Sequence, residues 1–195
     1  MKTLLAVAAL FSVSLFAFLA ATAKDDKDQK PGGGEEFTLP KPGPEHEILK
    51  KEAGVWDATV EESVEPGAPP KVSKGVETNT LACGGLWLVS DFKGEMMGQP
   101  FQGHGVTGYD PLKKSYIGIW VDGMSPALGL VVGTYDPAKK TMSNIYESHD
   151  PSGKPVKLKM VTVWKGEDSR AWTATMVGED GKDVTMLTIK YQRRK

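Results

Sequence analysis

Three histidines, His46, His104 and His149, are the side chains best suited to hold a metal or to move a proton at neutral pH. They stand 58 and 45 residues apart and form no His-x-His or His-x-x-x-His pair, so their spacing supplies no metal-ligand set. His46, three residues before Leu49, reads as a structural histidine near one end of the fold. His104 shares a strand face with Gln102, and His149 precedes an Asp-Pro turn, so both are expected at the surface. Cys83 is the chain's one cysteine, followed by Gly84-Gly85 with no neighbouring histidine, and reads as a small buried side chain rather than a nucleophile. Gly-x-Ser-x-Gly is absent, and Asp122 and Glu95 are isolated carboxylates at loop ends, where solvating a turn is the plainer role than acid–base chemistry. No catalytic residue, metal site or cofactor is predicted.

The chemistry that remains is binding. Alternation puts Phe101, Gly103, Gly105 and Thr107 on one strand face, and the two glycines leave room beside an aromatic wall. Met96 and Met97, flexible thioethers flanked by Gly94 and Gly98, suit either an adaptable pocket mouth or a hydrophobic loop folded over a barrel end. Glu62 falls on the same face as Trp56, Ala58, Val60 and Val64, either pointing inward or marking the rim where the strand emerges into water. These seven residues, Glu62, Met96, Met97, Phe101, Gly103, Gly105 and Thr107, form the candidate ligand set for a small apolar or amphipathic molecule held in a barrel cavity. The competing reading is a structural or interaction domain of the cell envelope whose barrel is filled by its own side chains.

The elements that must position these residues are strands. A short helix is expected from Pro44, with Glu45 and Glu47 near its start, Lys50 and Lys51 near its end, and Gly54 closing it. After it the period changes from helical to alternating, in runs rich in Val, Thr, Ile, Tyr and Trp. Ten strands are predicted: Val55 to Val64, Val72 to Ala82, Leu86 to Lys93, Phe101 to Tyr109, Ser115 to Asp122, Ala127 to Tyr135, Thr141 to His149, Pro155 to Lys165, Arg170 to Val177 and Asp183 to Arg193. Tyr109-Asp110-Pro111 is echoed by Tyr135-Asp136-Pro137, 26 residues later, and loosely by His149-Asp150-Pro151. In each, proline sets φ for the turn while the aspartate can bond the backbone beyond it. Glu179-Asp180-Gly181-Lys182 is a fourth tight hairpin signal. Short loops between sequential antiparallel strands make an up-and-down meander, and closing ten of them into an all-β barrel removes the exposed edges. Gly103, Gly105, Gly108, Gly118, Gly129 and Gly133 fall inside strands, either bending them or clearing space for a ligand.

Composition agrees with one such domain. The 195 residues carry 24 basic and 25 acidic side chains and are 39% hydrophobic, which supports one core and excludes both wholesale disorder and an electrostatic nucleic-acid binder. Lys2, the apolar run Leu4 to Ala20 and Ala21-Thr22-Ala23 read as a signal peptide over residues 1–23, with the mature chain starting at Lys24. Residues 24–43, dense in charge, glycine and proline, read as a flexible linker, and residues 44–195 as the barrel. The protein is therefore expected to be exported, periplasmic or extracellular, with no membrane span once the leader is removed.

Gly54-Val55-Trp56, directly after a short helix, resembles the Gly-x-Trp signature of the calycin, or lipocalin-like, barrels. That resemblance implies a tryptophan closing one end of the barrel with a basic residue from the last strand across its ring, for which Arg193 is the match and Arg194 the alternative. More narrowly, the chain from Pro44 onward resembles the exported bacterial family of domain of unknown function 1579, which is grouped with the calycins. The matching pieces are Glu45-His46-x-x-Leu49, Gly54-x-Trp56, Glu65-Pro66-Gly67-Ala68-Pro69-Pro70, Gly94-Glu95-Met96-Met97-Gly98, Phe101-x-Gly103-x-Gly105-x-x-Gly108-Tyr109-Asp110 and Trp120-Val121-Asp122. The family brings no established activity. Position 104 holds histidine where the resemblance implies arginine, so no ligand role is assigned to His104.

Overall fold

The computed structural model describes residues 38–63, 68–177 and 182–195. The leader, most of the linker, Val64, the Glu65-Pro66-Gly67 motif and the Glu179-Asp180-Gly181 turn lie outside the described residues. A 3-10 turn, Pro44–His46, runs into the helix α1, Glu47–Glu52. The expected helix is thus present but shorter, because the backbone turns extended at Ala53 and Gly54 already belongs to the first strand. Ile48 and Leu49 on α1 are buried, which anchors the helix as a plug in one end of the strand array.

Ten strands come next: β1 (Gly54–Glu62), β2 (Lys71–Ala82), β3 (Trp87–Met96), β4 (Gln99–Asp110), β5 (Ser115–Asp122), β6 (Ser125–Asp136), β7 (Thr141–His149), β8 (Pro155–Trp164), β9 (Ser169–Val177) and β10 (Asp183–Arg193). Each pairs antiparallel with the next, and β1 pairs with β10, so the sheet closes into a barrel with no free edge. This is the predicted all-β meander with one short helix. Among the described residues no helix is long and apolar enough to cross a membrane.

The turns show why the register holds. Asp110 Oδ1 accepts the backbone N–H groups of Leu112 and Lys113, and Asp136 Oδ1 repeats the pattern with Ala138 and Lys139. Those backbone donors, Lys139 first, hold the Asp136 carboxyl below its ordinary pKa. Asp150 does the same for Ser152 and Lys154. The repeated Asp-Pro segments are therefore structural punctuation, as read from the sequence. The β3–β4 connection is the two residues Met97 and Gly98, both at positive φ (52° and 74°), the geometry that gives a two-residue hairpin the right twist. Met96 belongs to β3 rather than to a loop. Cys83, expected to be buried, is exposed, because it sits at positive φ in a short 3-10 turn between β2 and β3 instead of on a strand face.

Two clusters of buried side chains form the core. One, beneath α1, joins Ile48 and Leu49 to Leu88, Tyr116, Met142 and Trp164. The other joins Trp56, Ala58, Val60, Phe92, Phe101, Ile189 and Tyr191, all from β1, β3, β4 and β10. Packing is thus concentrated at the helix end and along one wall.

Candidate functional site

The helix end is closed by residues from both chain ends. Trp56 is fully buried, and its indole N–H donates to the Glu52 carbonyl (2.9 Å). The Arg193 guanidinium lies 4.1 Å from the Trp56 ring centre and donates to the Lys51 and Ala53 carbonyls, both at 2.6 Å, so one side chain stacks on the indole and caps α1. Arg193, not Arg194, fills the role the resemblance implies; Arg194 pairs with Asp57 on the outside. Gly54 is required twice over, since its φ of +124° disfavours any side chain and a Cβ there would lie 2.7 Å from Arg193 Nη1.

Beneath this stack lies a charged network that the sequence reading did not assemble. The Arg170 guanidinium is buried, 3.9 Å from the Tyr191 ring centre and 4.7 Å from that of Trp56. It donates to Glu77 Oε1 (2.5 Å) and lies 3.0 Å from Glu52 Oε2, with its Nε–H poorly aligned for a hydrogen bond. Glu77 also accepts from Tyr191 Oη (2.9 Å) and Asn79 Nδ2 (2.8 Å), and Glu52 accepts from Trp164 Nε1 (2.5 Å). Two carboxylates thereby share one guanidinium inside the barrel, with the Tyr191, Asn79 and Trp164 donors supplying the remaining hydrogen bonds that buried charge needs. Its strand parity, with Glu77 and Asn79 in line with Gly75, was the signal in the sequence.

Burial pushes the Glu52 carboxyl above its ordinary value of 4.5, against the pull of Arg170. A carboxyl raised in the folded state contributes stability in full below its unfolded value and loses that contribution as pH climbs through the folded one. Relative to Glu52→Gln, which cannot titrate there, the wild type should lose stability as the pH rises from 4.5. Thermal melts of the two proteins across pH 4 to 8 check the sign; a wild type that gains on the variant with rising pH would contradict it.

Above the network the barrel interior changes character. Inward-facing Ser90, Thr107, Trp120, Val131, Asn144, Tyr146, Leu158 and Trp172 are all only half-buried, although their strands are the barrel wall. The strand glycines explain how this space stays open. A Cβ at Gly103 would fall 2.1 Å from the Trp120 ring and one at Gly105 3.0 Å from it, so the indole lies flat against β4. Tyr146 lies over Gly129 in the same way, 2.1 Å from the added Cβ. Rings laid flat on glycine line the wall instead of crossing the lumen. The hydroxyls of Ser90, Thr107 and Tyr146 and the Asn144 amide have no protein hydrogen-bond partner among the described residues, and none of their polar atoms is sealed from solvent.

The end opposite α1 is the mouth. Met97 in the β3–β4 turn, Met124 in the β5–β6 turn, Met176 on β9 and Met186 on β10 are all exposed there. Glu62 is buried, and its carboxylate accepts the Met97 N–H (2.8 and 3.1 Å), which ties the β3–β4 hairpin to β1 across the mouth. Of the candidate ligand set, Met96 and Phe101 pack into the core, with Phe101 edge-on to Phe92 at 5.9 Å. Gly103 and Gly105 floor the Trp120 ring, and Thr107 faces the lumen. Asp122 accepts from Trp120 Nε1 (2.9 Å) and from the turn amides of Met124 and Ser125, so it positions the ring and the turn. His46 accepts from the Gly43 N–H through Nδ1 (3.0 Å), while His104 pairs with Asp91 on the outside. Among the described residues no group of three or more His, Cys, Asp and Glu side chains could hold a metal. An open groove of about 850 Å³ lies outside the lumen, with Lys74, Lys93 and Lys190 on its walls.

Fold and site together define a class: a closed ten-stranded antiparallel barrel, plugged at one end by a helix and a Trp–Arg stack, with a partly open interior. The chain belongs to the family described as protein of unknown function (DUF1579), whose model matches residues 41–193. It is similar to the crystal structure of Rv2717c from M. tuberculosis, with 14% sequence identity and a TM-score of 0.60 over 78% of this chain and 99% of that one. At that identity the likeness shows the fold alone. A redesigned β-barrel aligns over 75% of this chain and 95% of its own with 16% identity and a TM-score of 0.41, too distant to bear on function. No curated protein matches the sequence.

Proposed function

We propose that this protein binds a small amphipathic molecule in the part of the barrel interior lined by β3 to β9. The observation that carries the reading is the set of unpartnered polar groups in the lumen, on Ser90, Thr107, Asn144 and Tyr146, set among the apolar surfaces of Trp120, Val131, Leu158 and Trp172. Ligand sites combine apolar walls with a few convergent polar groups in this way. The exposed methionines at the mouth give an adaptable way in past the Met96-Met97 hairpin. The leader read from the sequence would place this binding outside the cytoplasm.

The alternative, an envelope domain with a filled barrel and no ligand, is favoured by the Trp120 ring already occupying the room beside Gly103 and Gly105. For that reason Gly103→Leu cannot separate the readings, because it drives into the ring and strains the wall. Val131→Phe can, since Val131 faces the lumen and is only half-buried. Trp120 and Trp172 border the same space and report on it by fluorescence. Titration with fatty acids, haem and isoprenoids should give a saturable change with one of these classes, and Val131→Phe should abolish it while keeping the wild-type melting temperature to within a few degrees. Where Val131→Phe fails to fold, Asn144→Leu tests the polar half of the same site. No saturable change with any class would favour the filled barrel.

A further inference from the structure

The rings laid on glycine shape a surface as well as a space. Gly103 lies under Cζ2 of Trp120 and Gly105 under Cε3, on opposite sides of the six-membered ring, an added Cβ falling 2.1 and 3.0 Å from them. The indole thus rests on two glycines, which leaves its other face toward the lumen. Gly129 lies under the hydroxyl end of Tyr146, with an added Cβ 2.6 Å from Oη, and is itself the register partner of Trp120. The two rings therefore continue one another along the wall from β4 to β7, roughly 14 Å at about 4.8 Å per strand. Both are only half-buried. An electron-rich ring face of this kind favours a planar unsaturated partner stacked on it over a saturated one of the same size.

Strand register also orders the polar groups. Thr107, Gly118, Val131 and Tyr146 form one cross-strand row. Trp120 stands one row nearer the mouth, and Asn144 one row nearer α1. A molecule that lies on the two rings therefore brings its inner end to the Thr107 hydroxyl and the Asn144 amide, both without a protein partner among the described residues and both able to donate and accept. The guanidiniums of the interior are already engaged, Arg170 by Glu52 and Glu77 and Arg193 by the carbonyls of Lys51 and Ala53. Lys71 and Lys154 are exposed on the rim, short of that inner end. Taking the lumen as the binding site proposed above, we infer that its ligand carries a planar unsaturated ring with an uncharged hydroxyl or carbonyl group at the end that enters first. Of the classes titrated above, ring-headed isoprenoids fit this description, whereas fatty acids and haem bring carboxylates that would be buried without a cation.

Isothermal titration calorimetry at pH 7, on the protein as its own cells process it, tests this with three probes of nearly equal size: 2-naphthol, its saturated counterpart decahydro-2-naphthol, and 2-naphthoate. The flat, uncharged 2-naphthol should bind at least about tenfold tighter than either of the others. Val131→Phe should abolish its binding, and Trp120→Leu should bring the flat and the saturated alcohol to within about threefold of each other, a ratio that loss of packing alone would not move. Where Trp120→Leu fails to fold, Tyr146→Leu reads the same preference from the other ring. Decahydro-2-naphthol binding as tightly as 2-naphthol overturns the planar ring, and 2-naphthoate doing so overturns the uncharged end; either result leaves the lumen as a binding site when Val131→Phe abolishes the heat. Binding of 2-naphthol that survives Val131→Phe lies elsewhere and overturns the inference. So does an absence of heat from all three probes, after which the titration with fatty acids, haem and isoprenoids decides by itself whether the lumen binds anything.

Discussion

Arg170→Met is expected to destabilise the barrel by about 3 to 5 kcal/mol, because it leaves Glu52 and Glu77 buried without the cation they share. A domain of this size is held by roughly 5 to 15 kcal/mol, so such a loss takes a substantial part of the margin. Urea unfolding measures it. The diagnosis is sharpened by adding Glu77→Leu to the Arg170→Met protein: removing one of the two stranded carboxylates should restore part of the stability, with Glu52 still buried without its cation. A cost below about 1 kcal/mol for Arg170→Met would mean that water reaches the network and that the helix end is not closed.

Trp56→Ala is the second large effect, about 3 to 5 kcal/mol. Trp56 is fully buried, and its removal takes away the surface on which Arg170 and Arg193 both rest as well as the hydrogen bond to α1. Because Arg170 lies against the ring, the Trp56 and Arg170 losses should not add, and the double variant should cost less than their sum. Chemical denaturation of the single and double variants checks both statements. Trp56→Phe, which keeps a ring but no indole N–H, should recover part of the loss.

These two residues also show how far local sequence pattern reaches. Trp56 and, with Arg194 as the alternative, Arg193 were legible through the resemblance of Gly54-Val55-Trp56 after a short helix to the calycin signature, which implies a basic residue of the last strand across the ring. Ten strands were legible from alternation and Asp-Pro punctuation, and Ser115 to Asp122, Thr141 to His149 and Asp183 to Arg193 match the structure to the residue. Arg170 was not, since a single arginine at the start of a strand has the same local pattern whether it faces water or a pair of carboxylates on other strands. The flat Trp120 and Tyr146 rings were hidden for a related reason. Glycine in a strand shows that a side chain is missing, but only cross-strand register shows whose ring takes the space.

Whether the half-open lumen holds a molecule decides the functional reading. Native mass spectrometry of the protein purified from its own cells measures this directly. A bound small-molecule mass that is released on denaturation, and is absent from Val131→Phe prepared the same way, is the predicted result. The bare polypeptide mass in both preparations, with ligand classes added in solution also leaving no adduct, would contradict the claim.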